Sequence, residues 1–313
     1  MKFDDRALKL FHNSFKYFIM NKRITILILA ICLTIFQTVS AQQDTQKINT
    51  TVMVETKDGS KFIGKLIERT GSKITIETKS AGTLTLEIAN LKSIVEADPT
   101  RIKSDGYWFE NPHATRNLYG PTGFGLHKGE GYFNNTMIFL NQFSYGISDN
   151  ISIGGGFEVL SLLAGQPPAI LYLTPKVSFK GSEKYHVGVG ALIGSFGFDG
   201  DRAGAGIVYV TNTFGSRDNN FTAGLGYGYA AGEWAKQPSI SISGQFRMSR
   251  KWGFVTENYI LKGVGIISAN ARRLSEDSAW DFGLLYPITS EGSPPFAIPF
   301  VGYTILFGKR KKV

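Results

Sequence analysis

From about residue 115 to residue 309 the chain repeats one pattern. Runs of roughly ten residues carry an apolar, often aromatic, side chain at every second position, with Gly, Ser, Thr or a charge between. A period of two belongs to a β-strand whose two faces differ. The stretch "FSYGISDNISIGGGF" (143–157) shows it on both sides of a polar break: Phe143, Tyr145 and Ile147, then Ser148-Asp149-Asn150, then Ile151, Ile153 and Phe157. In "FTAGLGYGYAA", Phe221, Ala223, Leu225, Tyr227 and Tyr229 face away from Thr222, Gly224, Gly226 and Gly228. In "PSISISGQFRMS", Ile240, Ile242, Phe246 and Met248 oppose Ser239, Ser241, Ser243, Gln245 and Arg247. In "AWDFGLLYPIT", Trp280, Phe282, Leu284, Tyr286 and Ile288 oppose Asp281 and Gly283. So aromatic and continuous a face is expected to bury against lipid, with the aromatics near strand ends (Tyr145, Tyr185, Phe221, Trp252, Trp280) forming interfacial girdles. A soluble sandwich is the alternative, and it accounts poorly for strands of this length.

Twelve runs can be counted: "TRNLYGPTGFG", "GYFNNTMIFLNQFSYGI", "ISIGGGFEVLSL", "AILYLTPKVSFK", "YHVGVGALIGSFGF", "AGIVYVTNTFG", "FTAGLGYGYAA", "PSISISGQFRMS", "GFVTENYILKG", "GIISANARRLS", "AWDFGLLYPIT" and "IPFVGYTILFGK". Most are long enough to cross a bilayer at a tilt. The breaks after the second, fourth, sixth, eighth and tenth runs are short and polar; most of the others are longer or richer in Gly and Pro, with the connection near Gly263 an exception. Short turns at one end and longer loops at the other mark an outer-membrane barrel. An even strand count leaves both ends of the barrel domain on the short-turn, periplasmic side. The expected fold class is therefore all-β, an antiparallel up-and-down transmembrane barrel of about twelve strands.

The N-terminus fits that compartment. In "MNKRITILILAICLTIFQTVSA" (20–41), Lys22 and Arg23 precede an apolar run, and Val39-Ser40-Ala41 supplies small residues before a cut at Gln42. This reads as a secretory signal peptide, residues 1–41, with Met20 as the expected true start; a membrane anchor is the alternative. "LAIC" (29–32) approaches a lipid-attachment box, but Ile31 is too bulky and apolar sequence continues beyond Cys32, the only cysteine. Much of the chain's formal charge of +9 lies in this segment. Residues 42–313 keep 28 basic and 23 acidic residues, and four of the basic ones form the tail Lys309–Lys312. Nothing in this charge calls for a nucleic-acid partner.

Residues 42–98 read as a separate small β domain in the periplasm. Val52, Val54, Ile74, Ile76, Leu84, Leu86 and Ile88 alternate with polar residues, and Asp58-Gly59, Gly71-Ser72 and Ala81-Gly82 supply the turns. Five short strands in so few residues predict a small closed barrel. "VMVETKDGSKFIGKLIE" resembles the first motif of Sm-like domains: an alternating strand, Asp-Gly, an aromatic, then Gly and Leu. That family binds RNA through an Asn after the second strand and an Arg-Gly pair near the end. "ERTGSKITIE" has no matching Asn and "LEIANLKSIV" no Arg-Gly, so the resemblance implies the small Sm/SH3-like fold without the RNA site. A linker, 99–114, leads to the barrel, 115–313.

"NPHATRNLYGPTGFGLHKGEGYFNNTMIFLNQFSYGISDNISIGGGFE", "NTFGSRDNNFTAGLGYGYA" and "TENYIL" resemble a family of small outer-membrane β-barrel proteins of Gram-negative bacteria, across most of residues 111–309. The resemblance implies the barrel and brings no functional residues with it. Barrel assembly signals commonly end in an aromatic; here Phe307 is followed by Gly308 and the basic tail.

By parity the lumen lining includes Glu158, Lys176, Lys180, His186, Arg247, Arg272 and Asp281, joined by Glu257, whose charge would be costly against lipid. Phe254 and Val255 disagree about which face of their strand points outward. A lining of mixed sign fits either cross-lumen ion pairs or a constricted pore for a small polar or anionic solute. A Ser–His hydrolase would need His and Ser as neighbours near the outer leaflet, and His113, His127 and His186 offer no such pairing. Asp199 and Asp201 flank Gly200 without the further ligands a Ca²⁺ site needs, and the Gly-rich strings lie in strands rather than before a helix. No enzyme activity, metal or cofactor is expected. A large plugged transporter of about 22 strands would need a longer chain.

Two functions are thus expected: a small channel for polar solutes, or a non-conducting anchor that presents the Sm-like domain to a periplasmic protein. The outer-membrane lipid is the other expected partner. The topology is testable. A cysteine placed at Gly200 labels in intact cells with an impermeant maleimide and one placed at Asp58 does not; the opposite pattern overturns the orientation.

Overall fold

The computed structural model describes residues 49–197, 202–290, 292 and 294–308. The expected signal peptide and the Asp199–Asp201 loop lie outside them.

The first five strands are β1 (Thr51–Thr56), β2 (Lys61–Arg69), β3 (Lys73–Thr78), β4 (Gly82–Glu87) and β5 (Leu91–Glu96). They form one antiparallel sheet in the order β4-β3-β2-β1-β5. The alternation read in the sequence is the reason: Val52, Val54, Leu66, Ile74 and Ile76 are buried together, with Phe62, Leu84, Leu86, Ile88, Leu91 and Ile94 packed around them. A single 3₁₀ turn, Ile88–Asn90, joins the two edge strands, and among the described residues no ladder pairs them. Gly64 sits where the sheet folds tightly, since a Cβ there would meet the Glu77 carbonyl oxygen at 2.5 Å. Asp98 then caps a short turn at Pro99–Arg101, and the amide and hydroxyl of Thr100 hold its carboxyl below the usual carboxylate range. A two-residue ribbon follows, β6 (Ile102–Lys103) with β7 (Gly106–Tyr107).

The larger sheet comprises β8 (Glu130–Thr136), β9 (Leu140–Gly146), β10 (Ile151–Glu158), β11 (Ile170–Leu173), β12 (Lys176–Ser182), β13 (Tyr185–Phe196), β14 (Ala203–Gly215), β15 (Asn219–Ala230), β16 (Glu233–Trp234), β17 (Ser239–Arg247), β18 (Trp252–Leu261), β19 (Val264–Leu274), β20 (Ser278–Thr289) and β21 (Ile298–Gly308). Each pairs antiparallel with its neighbours, and β21 pairs with β8 from Gly302↔Thr136 to Gly308↔Glu130, which closes the sheet on itself. β11 and β12 make one wall strand broken at Thr174-Pro175, and β16 is a spur on β15, so the barrel has twelve wall strands. Pro175 is tolerated because its carbonyl still accepts from Ala191 and Thr174 exchanges both hydrogen bonds with Gly154.

The outward face is apolar all round. Phe143, Tyr145, Ile151 and Ile153 are about half exposed, as are Phe221, Leu225, Ile242, Phe246, Trp280 and Leu284. The short turns after β9, β12, β14, β17 and β19 all lie at the end where β8 begins and β21 finishes; the longer connections lie at the other end. That end also has two short connections, after β8 and after β18.

Two expectations need correction. "GYFNNTMIFLNQFSYGI" is not one strand but the hairpin β8–β9, turned by Met137 and Ile138, both at positive φ (54° and 71°). The turn lacks the Asn-Gly or Asp-Gly that usually announces such a geometry. It is held instead by Asn135, whose Nδ2 donates to the Ile138 carbonyl (2.8 Å) and to Asn141 Oδ1 (2.9 Å). "TRNLYGPTGFG" forms no wall strand at all. The wall begins at Glu130, and residues 111–126 lie buried inside the barrel.

The small sheet and the barrel belong to one compact unit, and Lys61 reaches Glu276 in the turn after β19 at 2.8 Å. Ile74→Ala is expected to destabilise the small sheet by about 2–5 kcal/mol. Limited proteolysis of that variant should cut within residues 49–98 while the barrel keeps its heat-dependent gel mobility.

Candidate functional site

The lumen holds a hairpin of the chain's own backbone. Residues 113–124 double back on themselves: the Asn117 amide donates to the Gly120 carbonyl (2.9 Å), the Thr122 amide to the Thr115 carbonyl (3.1 Å), and Arg116 bridges Pro121. The hairpin enters from the short-turn end, since the chain before it lies against the turn after β14. There the Asn111 amide donates to Asp218 and Asn111 Nδ2 to the Arg217 carbonyl. Asp218 also binds Arg101 (2.7 Å) and Arg247 (2.8 Å).

A hairpin alone in a barrel has no ladder for its outer backbone groups, and a buried unpaired one is costly. Wall side chains take that role. Glu257 accepts from the amides of Leu118 (2.8 Å), Tyr119 (3.1 Å) and Gly120 (3.0 Å), the tip of the hairpin, and from the Tyr259 hydroxyl (2.7 Å). Lys176 donates to the carbonyls of Phe124 (2.6 Å) and Thr115 (3.4 Å). Gln245 Nε2 donates to the Arg116 carbonyl (2.6 Å), Ser243 accepts from Asn117 (2.6 Å), and Thr213 accepts from the Gly123 amide (2.7 Å). Arg116, from the hairpin itself, donates to the Leu118 carbonyl and to Thr304 on β21. Gly123 is required by the fit, because a Cβ there would lie 2.4 Å from the His186 carbonyl oxygen.

The strongest charge contact is a pair in the wall. Arg272 binds Asp281 through two parallel hydrogen bonds (2.6 and 2.9 Å), with Asp281 fully buried. Its remaining donors reach the carbonyls of Asn117 and His113 and Gln245 Oε1. A forked guanidinium suits this task, serving one carboxylate and several carbonyls at once.

The eight residues singled out from the sequence therefore divide. Lys176, Arg247, Glu257 and Arg272 are buried in the lumen and touch residues 108–124; Asp281 holds Arg272. Arg247 donates to the Phe109 carbonyl and lies over the rings of Trp108 and Phe109, at the point where the segment enters. His186 packs against Phe124 with ring centres 4.4 Å apart and the rings tilted by 43°. Glu158 stands away from the hairpin, at the long-loop rim. There it accepts from the amides of Ser161 and Ala169 and ties down the 159–169 loop. Lys180 is exposed and paired with Glu183 in the turn after β12. The sequence reading missed the hairpin, with its Arg116 and Asn117, and the seats Arg217 and Asp218; it set Ser243 and Gln245 on the polar face of their strand without a role. The signal the hairpin left is Val255, an apolar residue on an inward position, which is 1% exposed and packs with Leu118 and Phe300.

From above the tip down one side of the hairpin lies a cavity of about 170 Å³, bordered by Tyr119, Gly120, Gln142, Tyr209, Ser241 and Tyr259 and reaching Lys176, Tyr132 and Leu126.

No family model matches the chain, and no curated protein matches it. Among solved structures, it is similar to a KdgM porin in complex with disordered oligogalacturonate, at 7% identity and a TM-score of 0.37, over 58% of this chain and 99% of that one. A NanC porin is similar at 10% identity and a TM-score of 0.36, over 58% and 100%. An outer membrane protein of Vibrio cholerae, OmpT, is similar at 11% identity and a TM-score of 0.28, over 82% and 96%. Similarities of this size say nothing of a solute. The chain's own topology, a closed antiparallel barrel of twelve strands with an apolar exterior, is of the outer-membrane type.

Replacing Arg272 by Met strands the Asp281 charge, and the barrel is expected to lose about 3–5 kcal/mol, read as a lowered urea midpoint in detergent micelles. Replacing both residues by Leu should cost less than the single change.

Proposed function

We propose that this protein is an outer-membrane barrel that is shut at rest by its own hairpin and that holds a small β domain at its periplasmic mouth. The observation that carries this is the hairpin's seating: its tip amides, its inner carbonyls and its entry point are each bound by a wall residue, Glu257, Lys176 and Arg247 in turn. A solute cannot pass without breaking those bonds. This favours the anchor reading over the open channel for the resting molecule.

The small sheet supports the rest of the proposal. A five-strand meander whose last strand returns to pair with the first fits the Sm-like or SH3-like fold. Its position beside the short-turn end fits a periplasmic site, where it would dock a periplasmic protein. The apolar exterior fits the outer-membrane lipid as the barrel's surroundings. We assign the protein no catalysis.

Passage of a small polar solute is the second reading. It is favoured by the cavity above the hairpin tip, and it requires the hairpin to leave.

Planar-bilayer recordings separate the two. Residues 42–313, refolded, are expected to give no discrete conductance steps. The same chain with residues 111–126 replaced by a Gly-Ser linker should give them, and Gly123→Ala should give brief openings. Steady conductance from the intact chain, with ion preference altered by Lys176 or Arg247 substitution, would overturn the closed-barrel reading in favour of the channel.

A further inference from the structure

The cavity above the hairpin tip is built unlike the rest of the lumen. Its floor residues, Gln142, Ser144, Thr211 and Ser243, are buried, whereas Leu192, Ile207, Tyr209, Ser239 and Ser241 higher on the wall keep partial exposure. It is therefore a cup with a dry floor and a mouth toward the long-loop end. Ser239 is the first residue of β17 after the 231–238 loop, so the cup reaches that rim.

The charges around it are already engaged. Arg116 donates to the carbonyls of Asn117 and Leu118, Lys176 to those of Thr115 and Phe124, and Glu257 accepts the tip amides. The polar groups of the cup that do not hold the hairpin are neutral. Ser241 and Tyr209 contribute hydroxyls, and Tyr119 and Tyr259 contribute rings. Gln142 is 6% exposed, and its Oε1 is buried with no hydrogen-bond partner. A buried amide oxygen left unpaired favours a guest that donates to it.

Size narrows the guest further. An enclosed apolar cavity of about 150 Å³ is known to hold one benzene ring, so in an open cup of similar volume a hydroxylated six-membered ring leaves some of its substituents in the mouth. The cup's volume of about 170 Å³ is of that order. A ring of this size with several hydroxyls and no charge can donate to Gln142, exchange hydrogen bonds with Ser241 and Tyr209, and lay its C–H faces on tyrosine rings. A charged guest would have to compete with the hairpin for Arg116, Lys176 or Glu257, whose hydrogen bonds already hold its backbone.

We infer that the cup above the hairpin tip is a binding site for one neutral polyhydroxylated six-membered ring, a hexopyranose or a cyclitol, entering from the long-loop end with Gln142 Oε1 as its buried acceptor. The site rests on the seated hairpin, whose Tyr119 and Gly120 border it, but its test reads binding and not conductance, so the two readings fail separately.

The test is saturation-transfer difference NMR and calorimetry on residues 42–313 in an amine-oxide detergent, which avoids sugar headgroups. The probes are glucose, galactose, mannose and myo-inositol, with glucuronate and glucosamine as charged counterparts. At least one neutral probe should saturate in the millimolar range, ordinary for so small a ligand. Gln142→Leu should weaken it by about tenfold, the loss of one buried hydrogen bond. Ser241→Phe, which fills the cup, should abolish binding. Heat-dependent gel mobility checks that both variants are folded, and the Ser239→Phe variant substitutes for either that is not. The inference is overturned by three results: no saturation by any neutral probe, which means a water-filled void; binding unaltered by the variants; or tighter binding of a charged counterpart.

Discussion

An amide or carbonyl without a partner costs several kcal/mol in hydrocarbon, and nearly every feature of this barrel answers to that. It is why β21 returns to β8 rather than leaving two edges in lipid. It is why Pro175, which has no amide to give, sits where its carbonyl and the neighbouring Thr174 keep the wall continuous. The same constraint acts inside. The hairpin cannot join the wall's ladders, so its backbone would be a buried set of unpaired groups. Glu257, Lys176, Gln245, Thr213 and Arg272 stand in for the missing strand, each offering a side-chain donor or acceptor where a ladder would have offered a backbone one. Barrel and hairpin are thus one hydrogen-bonding problem solved twice.

That view explains the mixed charge of the lining. Buried ionised groups are a poor source of stability unless their partners are fully arranged. Among the described residues, the direct acid–base pair deep in the lumen is Arg272 with Asp281; Arg116, Lys176 and Glu257 are matched instead to backbone groups. A selectivity filter works through charges that a passing ion can feel and exchange with. Here Lys176 and Glu257 are fastened to the hairpin instead, and their signs match the carbonyls and amides that they hold.

The outer surface was legible because one rule governs it. A strand against lipid must alternate, and Phe221, Leu225, Ile242, Phe246, Trp280 and Leu284 sit outward as their parity requires. Parity also located the buried charges Lys176, Arg272 and Asp281, and the cost of a charge against lipid located Glu257, without saying what they touch. The hairpin was not legible for the converse reason. Residues 111–126 obey no period, because each is fitted to a different wall residue. "TRNLYGPTGFG" passed for a weak strand only through its aromatics. The β8–β9 turn was hidden because two non-Gly residues at positive φ carry it, supported by a side chain, Asn135, that looks like part of a strand. Val255 was the discordant residue. An apolar side chain facing a polar lumen implies something apolar inside, and that something is Leu118.

The two attachments of the N-terminal region differ greatly in strength. The small sheet meets the barrel rim through Lys61 and Glu276, a pair more than a third exposed on both sides, and such pairs contribute about 0–1 kcal/mol. The hairpin, continuous with that sheet through residues 97–110, is held by several buried bonds, any one of which is costly to break. Between them stands the cluster of Arg101, Asp218 and Arg247, where the chain passes from the rim into the lumen and Arg247 clamps it over Trp108 and Phe109. A load on the small sheet therefore separates it from the rim first and meets the clamp next, and the seats at Lys176 and Glu257 feel it last. The order follows from burial: the Lys61–Glu276 pair is exposed to water, the clamp is mostly covered, and the hairpin seats are dry.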